Sequence, residues 1–503
     1  MSEALHKIGS AASHLGPGGA ERARAGGDAG GRPGDRAARI GALALLITAA
    51  ASACDGGRAR TDAPSGVILV SLDTLRADRL GAYGSTRGLT PNLDRFAAEA
   101  VVIEEAYAQA NETLPSHASL FTSRYPDELG VLDGALDGVA GPGFVPRGDA
   151  PTLAAAFHAA GWQTAAFVAG GHLSRAFGLD AGFGTYDDTA AWGSLRDTGP
   201  RALAWLDARA APSTGDAAPF LLFVHAYDTH DRYLKPPPFG YSVADAAYTG
   251  PGAAAGRVPG GSTRVVGRYL ASSVEAVGRG AALRSRFDPD DGLLATDPGA
   301  RPLADADIAH LAALYDGATA WMDACFGLFM AGLEARGLLE DVVIVVLSDH
   351  GEELGEHGAF EHRTRLSDET LHVPLMVRLP GGAHGGTRVG GLTALLDVAP
   401  TVLDLAGVST PAGARGTSLK PALFGAARSA RPAVFSEGQL RLLSARGPGA
   451  RLTADGMSTD NPRGPELLAV APVDGVSLTL TGDPAEADAL RAALVGWRRD
   501  VSP

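Results

Sequence analysis

Short apolar runs separated by helical segments restrict the fold of this chain more than any other feature of the sequence. Each run is continuous rather than alternating, which is typical of strands covered on both faces of a parallel sheet. The segments between the runs carry apolar residues at helical spacing. The pattern predicts a doubly wound α/β fold. The predicted strands are 67–72, 164–169, 220–224, 342–347 and 374–379, and the predicted helices include 91–100, 151–160, 199–210 and 308–335.

Composition allows a large core and excludes several classes of protein. Hydrophobic residues make up 45% of the 503 residues, which is too many for a disordered chain. The formal net charge of −14 argues against a nucleic-acid partner, because phosphate backbones select basic surfaces. The two cysteines, Cys54 and Cys325, cannot form a disulfide framework. We expect Cys325 to be buried, because it lies in an apolar helical segment.

The N-terminal region is typical of an exported protein. Residues 1–38 are rich in Gly, Ala and Arg and indicate a disordered or over-extended N-terminus. An apolar run of about 14 residues follows over 40–53, shorter than the roughly 20 residues that span a bilayer, and predicts a signal peptide at 39–54. Ala51-Ser52-Ala53-Cys54 resembles a bacterial lipobox. We therefore expect a periplasmic or cell-surface lipoprotein, anchored to the membrane at Cys54. An ordinary signal peptide or a misassigned start with a chance cysteine is the alternative.

Two later segments break the strand and helix rhythm of the main domain, which we place at 66–430. The stretch of about 236–305 is rich in Pro, Gly and Arg, and connections of that length are functional or disordered. Its arginines either cover a cleft and contact an anionic substrate or lie in a solvated loop. Residues 431–503 are expected to form a small C-terminal region.

Polar residues follow three of the apolar runs directly. In open α/β sheets, ligands bind beyond the carboxyl ends of the strands. Carboxylates and imidazoles together suit Mn, Zn or Ca, so the strand ends predict a metal site. The residues are Asp73 after the first run, His225, Asp228 and His230 after the third, and Asp349 and His350 after the fourth. The acidic segment 352–357 beyond them is expected to be a solvated rim.

Thr113 is a candidate nucleophile. Pro115 stands where the first turn of a helix tolerates proline, so Thr113 is expected at a helix N-terminus, where backbone N–H groups favour an anion. A hydroxyl there, beside a divalent cation, can lose its proton and attack. The alternative is that Thr113 serves only as the N-cap of the helix.

These motifs, in this order, resemble the sulfatase family of the alkaline phosphatase superfamily over about 67–423. The resemblance implies an alkaline-phosphatase-like α/β fold with a mixed, mostly parallel central sheet, helices on both faces and a small C-terminal α+β region. The motifs are Asp73-Thr74-Leu75-Arg76-Ala77-Asp78, Thr113-Leu114-Pro115-Ser116-His117, Asp228-Thr229-His230-Asp231, Ser348-Asp349-His350-Gly351-Glu352-Glu353 and Asp368-Glu369-Thr370-Leu371-His372.

The resemblance also implies one divalent metal ion, Ca, Mn or Zn, and a set of metal ligands. Thr113 becomes both a ligand and the nucleophile that forms a covalent intermediate. The full ligand set is Asp73, Thr113, Asp349 and His350.

Three histidines receive roles from the resemblance. His230 corresponds to the family's histidine after the middle strand and is expected to bind a non-bridging oxygen of the substrate. His362 falls where relatives place a Lys or His that faces the transferred group. His117 replaces the signature's arginine near the nucleophile. Each of them has a structural hydrogen-bonding role as its alternative.

The sequence departs from the family pattern at three places. True sulfatases begin the signature with a Cys or Ser that becomes formylglycine, whereas Thr113 cannot be converted and offers one hydroxyl. Thr74 stands where many sulfatases have a second Asp ligand, which favours one metal over two. Leu129 and Gly134 replace a His and an Asn that bind oxygen in relatives. The first departure shifts the expected substrate toward phosphoric or phosphonic esters.

The sequence thus predicts an exported, metal-dependent hydrolase of a phosphoric, phosphonic or sulfuric ester. Its substrate would be a small anionic ester, free or carried by a lipid or glycan, and the oligomeric state stays open. One alternative is an arylsulfatase-type enzyme without formylglycine, and another is a phosphoethanolamine or phosphoglycerol transferase. A surface binding lipoprotein whose catalysis has decayed is the non-enzyme alternative.

Overall fold

The computed structural model describes residues 63–131, 150–209, 218–230, 233, 235–236, 238–239, 305–357, 360–362, 365–428, 431–438, 442–454, 468–473 and 476–501. The chain divides into two compact units, residues 1–60 and 61–503, and every described residue belongs to the second. The predicted N-terminus, the signal peptide with Cys54, most of the insertion and Gly134 lie outside the described residues. Within the described ranges, no helix has the length and apolar character needed to cross a membrane.

A large sheet forms the centre of the second unit. Among the described residues its strands are β1 (Gly66–Leu72), β2 (Val101–Tyr107), β3 (Gln163–Phe167), β4 (Thr185–Asp187), β5 (Phe220–Ala226), β6 (Val342–Leu347), β9 (His372–Arg378), β10 (Arg388–Val389) and β11 (Thr393–Ala394). Between β6 and β9 in the chain, β7 (Glu353–Leu354) and β8 (Phe360–Glu361) form a separate two-stranded ribbon.

The strand order of the large sheet is β10-β2-β9-β6-β1-β5-β3-β4, with β11 also pairing with β2. β1 lies between β5 and β6 and is parallel to both. Within the described part of this sheet, β9 alone runs antiparallel to both of its neighbours, β2 and β6. The mixed, mostly parallel sheet is confirmed, whereas the expectation that 374–379 is a parallel strand is wrong.

Helices cover both faces of this sheet. They are α1 (Pro91–Ala98), α2 (Thr113–Thr122), α3 (Pro126–Leu129), α4 (Leu153–Ala159), α5 (Leu195–Arg209), α6 (Asp305–Glu334), α7 (Asp368–Leu371), α8 (Val398–Leu405) and α9 (Lys420–Leu423).

The side chains of β1 alternate between two hydrophobic clusters. Val67 and Leu69 join the cluster that contains residues of α2, α4 and α8, and Ile68 and Val70 join the cluster that contains residues of α1, α5 and α6. Because both faces of the strand are buried, its run is continuously apolar, as predicted. Cys325 of α6 is also buried, as expected.

The C-terminal region contains a second sheet. In its described part, β12 (Val434–Gly438), β13 (Leu442–Arg446), β14 (Ala450–Ala454), β16 (Val476–Gly482) and β15 (Leu468–Val473) pair antiparallel in that order. Helix α10 (Ala487–Val501) packs on this sheet, where the Trp497 ring stacks on Phe435 with centroids 4.9 Å apart. The α+β character expected for this region is confirmed.

Candidate active site

The candidate active site lies at the carboxyl ends of β1, β5 and β6, where β1 is flanked by the other two. Asp73 follows β1, and its backbone N–H donates to Ala226 O at the end of β5 (3.0 Å). Asp349 and His350 follow β6. His225 lies within β5, beside Ser71 of β1 in the register. The strand order therefore brings side chains from three distant segments to one edge.

The turn after β1 is held in an uncommon conformation. Thr74 has φ of +57°, a region that costs a non-glycine residue about 1–2 kcal/mol. Its N–H donates to Asp349 Oδ1 (3.3 Å), and its carbonyl accepts from the Tyr315 hydroxyl (2.7 Å). Arg76 N in turn donates to the Tyr315 hydroxyl (3.0 Å). These bonds stabilise the turn that carries Asp73.

Two carboxylates and one imidazole lie close together at this edge of the sheet. One ligand atom from each of Asp73, Asp349 and His350 lies within 4.8 Å of the others, and all three residues are buried. Asp73 Oδ1 and Asp349 Oδ2 have no hydrogen-bond partner in the described part of the chain. Buried carboxylate oxygens without partners are costly, and a divalent cation would satisfy them. The donor set fits Ca, Mn or Zn.

The protonation of the two carboxylates reflects their burial and their closeness. Burial and the neighbouring charge of Asp349 raise the pKa of Asp73 well above its ordinary value. For Asp349 burial acts in the same direction, but the interactions with His350, His117 and His225 and a hydrogen bond from Asp73 outweigh it and lower its pKa to about 2. Asp73 therefore holds its proton more tightly than Asp349 does, and a bound cation would replace that proton.

Thr113 is the first residue of α2 and is buried next to these carboxylates. Its hydroxyl donates to Asp73 Oδ2 (3.1 Å) and lies 3.5 Å from His350 Nε2. The residue at the N-cap position is Glu112 rather than Thr113, so the alternative of a simple N-cap is wrong. The hydroxyl is placed at the positive end of the helix and beside the candidate metal ligands.

His117 lies one turn into α2 and is fully buried. Its Nδ1 is 2.8 Å from Thr113 O and 3.4 Å from Asp349 Oδ2, and its Nε2 is 2.9 Å from Ser71 Oγ. Burial lowers the pKa of His117, which favours a neutral ring. These contacts make His117 a residue that positions Thr113 and Asp349 from beneath the site.

His230 and His362 lie on the outer side of the site. Their ring centroids are 5.1 Å apart, and the His362 ring is 4.6 Å from that of His350. The carboxylate of Glu352 holds His362, with 3.3 Å between Oε1 and Nδ1. The structure thus brings together the histidines that the sequence assigned to the substrate, although their roles stay predictions.

Other residues named from the sequence lie elsewhere or behave differently. Asp228 accepts from Ser194 Oγ (2.5 Å) and from Leu195 N at the start of α5 (2.7 Å), so it stabilises that helix. Glu352 and Glu353 are fully buried, so the expectation of a solvated rim is wrong for both. The reason is tertiary, because Arg76 Nη1 donates to the backbone carbonyl of Glu352 (3.0 Å) and fixes this segment against the turn after β1.

Tyr227 and Trp192 carry no role in the sequence analysis, and His225 was named there only as one of the polar residues at the strand ends. His225 Nε2 lies 3.3 Å from Asp73 Oδ2, although the sequence marked only its place after an apolar run. Tyr227 is buried, and its ring packs edge-on to that of His225, with centroids 4.6 Å apart. Its place directly after β5 was the available signal. Trp192 packs beside Tyr227 and His230, and no sequence pattern indicated it.

Comparison with known proteins places these features in a family. The profile of the family described as Sulfatase matches residues 65–408. An N-acetylglucosamine-6-O-sulfatase of Bacteroides thetaiotaomicron is 25% identical over 435 residues, covering 76% of this chain and 74% of that protein. The multifunctional alkaline phosphatase superfamily protein PehA of Trinickia caryophylli is 34% identical over 122 residues, about 24% of each chain.

Solved structures show the same fold. The phosphonate monoester hydrolase of Agrobacterium radiobacter superposes with a TM-score of 0.61 at 20% identity, covering 87% of this chain and 94% of that one. A structure in complex with D-glucosamine-2-N,6-O-disulfate superposes with a TM-score of 0.60, also at 20% identity, covering 87% of this chain and 96% of that one.

Proposed function

The chain belongs to the sulfatase family and is a sulfatase-like hydrolase, and from this premise we propose that it cleaves a phosphoric, phosphonic or sulfuric ester through a covalent intermediate on Thr113. The observation that carries the proposal is the Thr113 hydroxyl, which donates to Asp73 Oδ2 (3.1 Å) at the edge where Asp349 and His350 converge. A hydroxyl, two carboxylates and an imidazole form the minimum set for metal-assisted displacement.

Thr113 performs the first step. Its Oγ forms a bond to the phosphorus or sulfur atom as the bond to the alcohol oxygen breaks, and the proton lost by Oγ is balanced by the proton that the departing oxygen takes up. The products of this step are the free alcohol and a threonyl ester. The hydrogen bond that the Thr113 hydroxyl donates to Asp73 Oδ2 orients the hydroxyl for this attack. His117 Nδ1 donates a hydrogen bond to the backbone carbonyl of Thr113 (2.8 Å). The nucleophile is therefore fixed at both its side chain and its backbone.

His230 and His362 serve the transferred group. Their imidazoles meet edge to face, with centroids 5.1 Å apart, and donation from these rings would neutralise charge that develops on the non-bridging oxygens. Glu352 keeps His362 in orientation. In the second step, a water molecule attacks the same central atom, and Thr113 leaves with its hydroxyl restored.

Asp73, Asp349 and His350, together with Thr113, are the residues that would hold a divalent cation. Such a cation would lower the pKa of the Thr113 hydroxyl and withdraw electron density from the substrate. The two buried carboxylate oxygens without partners support this assignment.

The single hydroxyl of Thr113 favours phosphoric or phosphonic esters. Formylglycine hydrate releases sulfate by elimination, because it has a second hydroxyl. Thr113 has none, so its ester must be cleared by attack at the central atom, which is the usual route for a phosphoryl group on threonine. A sulfuric ester is the second candidate. The similarity to an N-acetylglucosamine-6-O-sulfatase over 76% of this chain favours it.

The proposed setting is outside the cytoplasm. The apolar run at 40–53 followed by Cys54 supports export and a lipid anchor. An anchored enzyme would meet small anionic esters at the cell surface, free or carried by a glycan or lipid. Transfer to an acceptor alcohol in place of water stays an alternative for the second step.

Paired substrates test the function. The purified protein, loaded in turn with Ca, Mn or Zn, is given an aryl phosphate, an aryl phosphonate, a phosphodiester and an aryl sulfate with the same leaving group. We expect turnover with phosphorus esters to exceed turnover with the sulfate. The reverse order would support the sulfuric ester, and product analysis in the presence of glycerol separates hydrolysis from transfer.

Variants of Thr113 test the nucleophile. Thr113→Ala should lower kcat by about 10³-fold or more, and Thr113→Ser should keep much of it. Mass spectrometry of a rapidly quenched reaction should find the phosphoryl or sulfuryl group on the peptide that contains Thr113. Normal turnover by Thr113→Ala would remove Thr113 from the mechanism.

A further inference from the structure

An exposed aromatic side chain lies beside the candidate active site. Trp192 is 55% exposed, and among the described residues only Leu328 and Phe424 are other large hydrophobic side chains with such exposure. The centroid of the Trp192 indole lies 5.5 Å from the ring of His230 and 4.9 Å from the ring of Tyr227. Its exposed surface therefore adjoins a histidine that we assign to the substrate.

The backbone at Trp192 is strained. The residue has φ of +52°, a conformation that is rare for a bulky side chain and costs about 1–3 kcal/mol. The next residue fixes this turn to the sheet, since Gly193 N donates to Ala169 O (3.2 Å) and Tyr227 N donates to Gly193 O (2.9 Å). Strain that the surrounding structure maintains is typical of functional sites.

Trp192 packs against His172 and the buried Tyr227, and we call this cluster of three rings the aromatic wall. The His172 ring packs edge-on to Trp192, with centroids 5.9 Å apart, and His172 N donates to the Tyr227 hydroxyl (3.2 Å). The Tyr227 ring also packs edge-on to that of His225, with centroids 4.6 Å apart, and His225 Nε2 lies 3.3 Å from Asp73 Oδ2. The aromatic wall thus leads from the buried carboxylate of Asp73 through His225 to the exposed indole of Trp192.

We propose that the aromatic wall binds the ring of the ester's alcohol group and so selects ring-bearing substrates. The inference rests on the proposed function, which places the ester oxygens between Thr113 and His230. An aryl ring and the C–H face of a pyranose share the flat apolar surface that an indole attracts. Stacking on Trp192 would remove apolar surface of both partners from water.

Steady-state kinetics of Trp192 variants test the aromatic wall. Phe424→Ala is the matched control, because Phe424 is 51% exposed and packs against His384. The experiment has three arms, each with an ester of the same acid. The alcohol of the ester is an aryl alcohol in the first arm, a pyranose in the second and an acyclic alcohol in the third. For Trp192→Ala we expect KM to rise about tenfold in one or both ring arms, with kcat within about twofold and the acyclic arm unchanged. Trp192→Phe should keep most of the affinity.

The aryl and pyranose esters also indicate which ring the natural substrate carries. The ring whose ester shows the larger rise in KM is the one that binds Trp192 better. An equal change in ring and acyclic arms, or no change in either ring arm, would overturn the inference. Calorimetric measurement of ligand binding tests the aromatic wall separately from the proposed function. The probes are benzenesulfonate and methanesulfonate, and we expect tighter binding of benzenesulfonate that Trp192→Ala abolishes. If this binding is found but no ester is turned over, the proposed function fails and the aromatic wall stands.

Discussion

Two buried acidic sites in this protein differ in how their oxygens are satisfied. At the ends of β1 and β6, Asp73 and Asp349 each keep an oxygen without a hydrogen-bond partner in the described part of the chain. At the start of α8, Asp397 is equally buried, but it pairs with Arg428 (3.4 Å) and Arg431 (2.5 Å). It also accepts from two backbone N–H groups, Ala394 N (3.1 Å) and Thr417 N (2.7 Å).

The difference separates a structural carboxylate from a functional one. The partners of Asp397 come from the protein itself, so its charge joins three segments of the chain. Asp73 and Asp349 face each other instead, so both can ionise only when a cation from outside the protein compensates their charge. Burial of an acid therefore marks function only together with unsatisfied oxygens.

The largest expected effect is at the functional pair. Asp349→Ala should abolish binding of the divalent ion and lower kcat by about 10³-fold or more, because a charged ligand is lost from the site. Metal content of the purified variant and turnover of the best ester measure both. Chelation of the wild-type enzyme should produce the same loss reversibly. Normal metal content with normal turnover would contradict the assignment.

Asp397→Asn should have the opposite profile. The variant leaves two arginines without their buried counter-charge, which costs about 3 kcal/mol of folding free energy. We expect a lower midpoint of urea unfolding, while kcat per folded molecule and metal content stay at the wild-type level. Loss of activity without loss of stability would erase the distinction between the two sites.

Asp73→Asn sharpens the comparison in the absence of metal. The substitution removes one of two buried carboxylates that face each other, so the metal-free variant should be more stable than the metal-free wild type by about 1–2 kcal/mol. Thermal unfolding in the presence of a chelator measures this. In saturating metal the order should invert, since the variant binds the ion poorly. A less stable metal-free variant would show that the carboxylates are structural.

Glu437 of β12 is an intermediate case, and its expected effect is on the pH dependence of stability. Asp127 N donates to Oε2 (2.9 Å), whereas Oε1 lies 3.6 Å from Arg498 and has no hydrogen bond within the described residues. Burial, opposed by the Asp127 N–H group and Arg498, raises the pKa of Glu437 to about 8.

The folded protein therefore holds a proton on Glu437 that the unfolded chain releases near pH 4.5. Stability should fall as the pH rises from about 4.5 to 8, and Glu437→Gln should weaken this decline. We expect the wild type and Glu437→Gln to have similar midpoints of thermal unfolding at pH 5. At pH 8.5 the midpoint of the variant should be higher by a few degrees. The same slope in both proteins would show that Glu437 is not the titrating group.

Much of the fold could be predicted because burial on both faces leaves a direct mark in the sequence. The runs that became β1, β5 and β6 were located within one or two residues. Strand β2 was missed, because Glu104 and Glu105 interrupt its apolar pattern. The antiparallel direction of β9 was also missed, since a continuous apolar run carries no information about direction.

The site was predictable to the extent that it lies at strand ends and in motifs. Asp73, Thr113, Asp349 and His350 were named from the sequence, and the strand order brings them together. The burial of Glu353 was not predictable, because charged residues are usually solvated and no apolar pattern marks the two-residue strand β7 in which it lies. Tyr227 and Trp192 were missed as well, since the chain places them 35 residues apart and only the turn at Gly193 brings them into contact.

The sequence by itself determined the class of sheet, the family and the residue types available at the strand ends. Those properties depend on local patterns and on short motifs, which can be recognised without knowledge of the tertiary contacts. Tertiary structure alone decided which buried acids are satisfied by the protein and which are left for a ligand. The physical reason is that a carboxylate's partners come from distant segments, as Asp397 meets Arg431 while Asp73 meets Asp349. Such pairings arise only when the chain has folded.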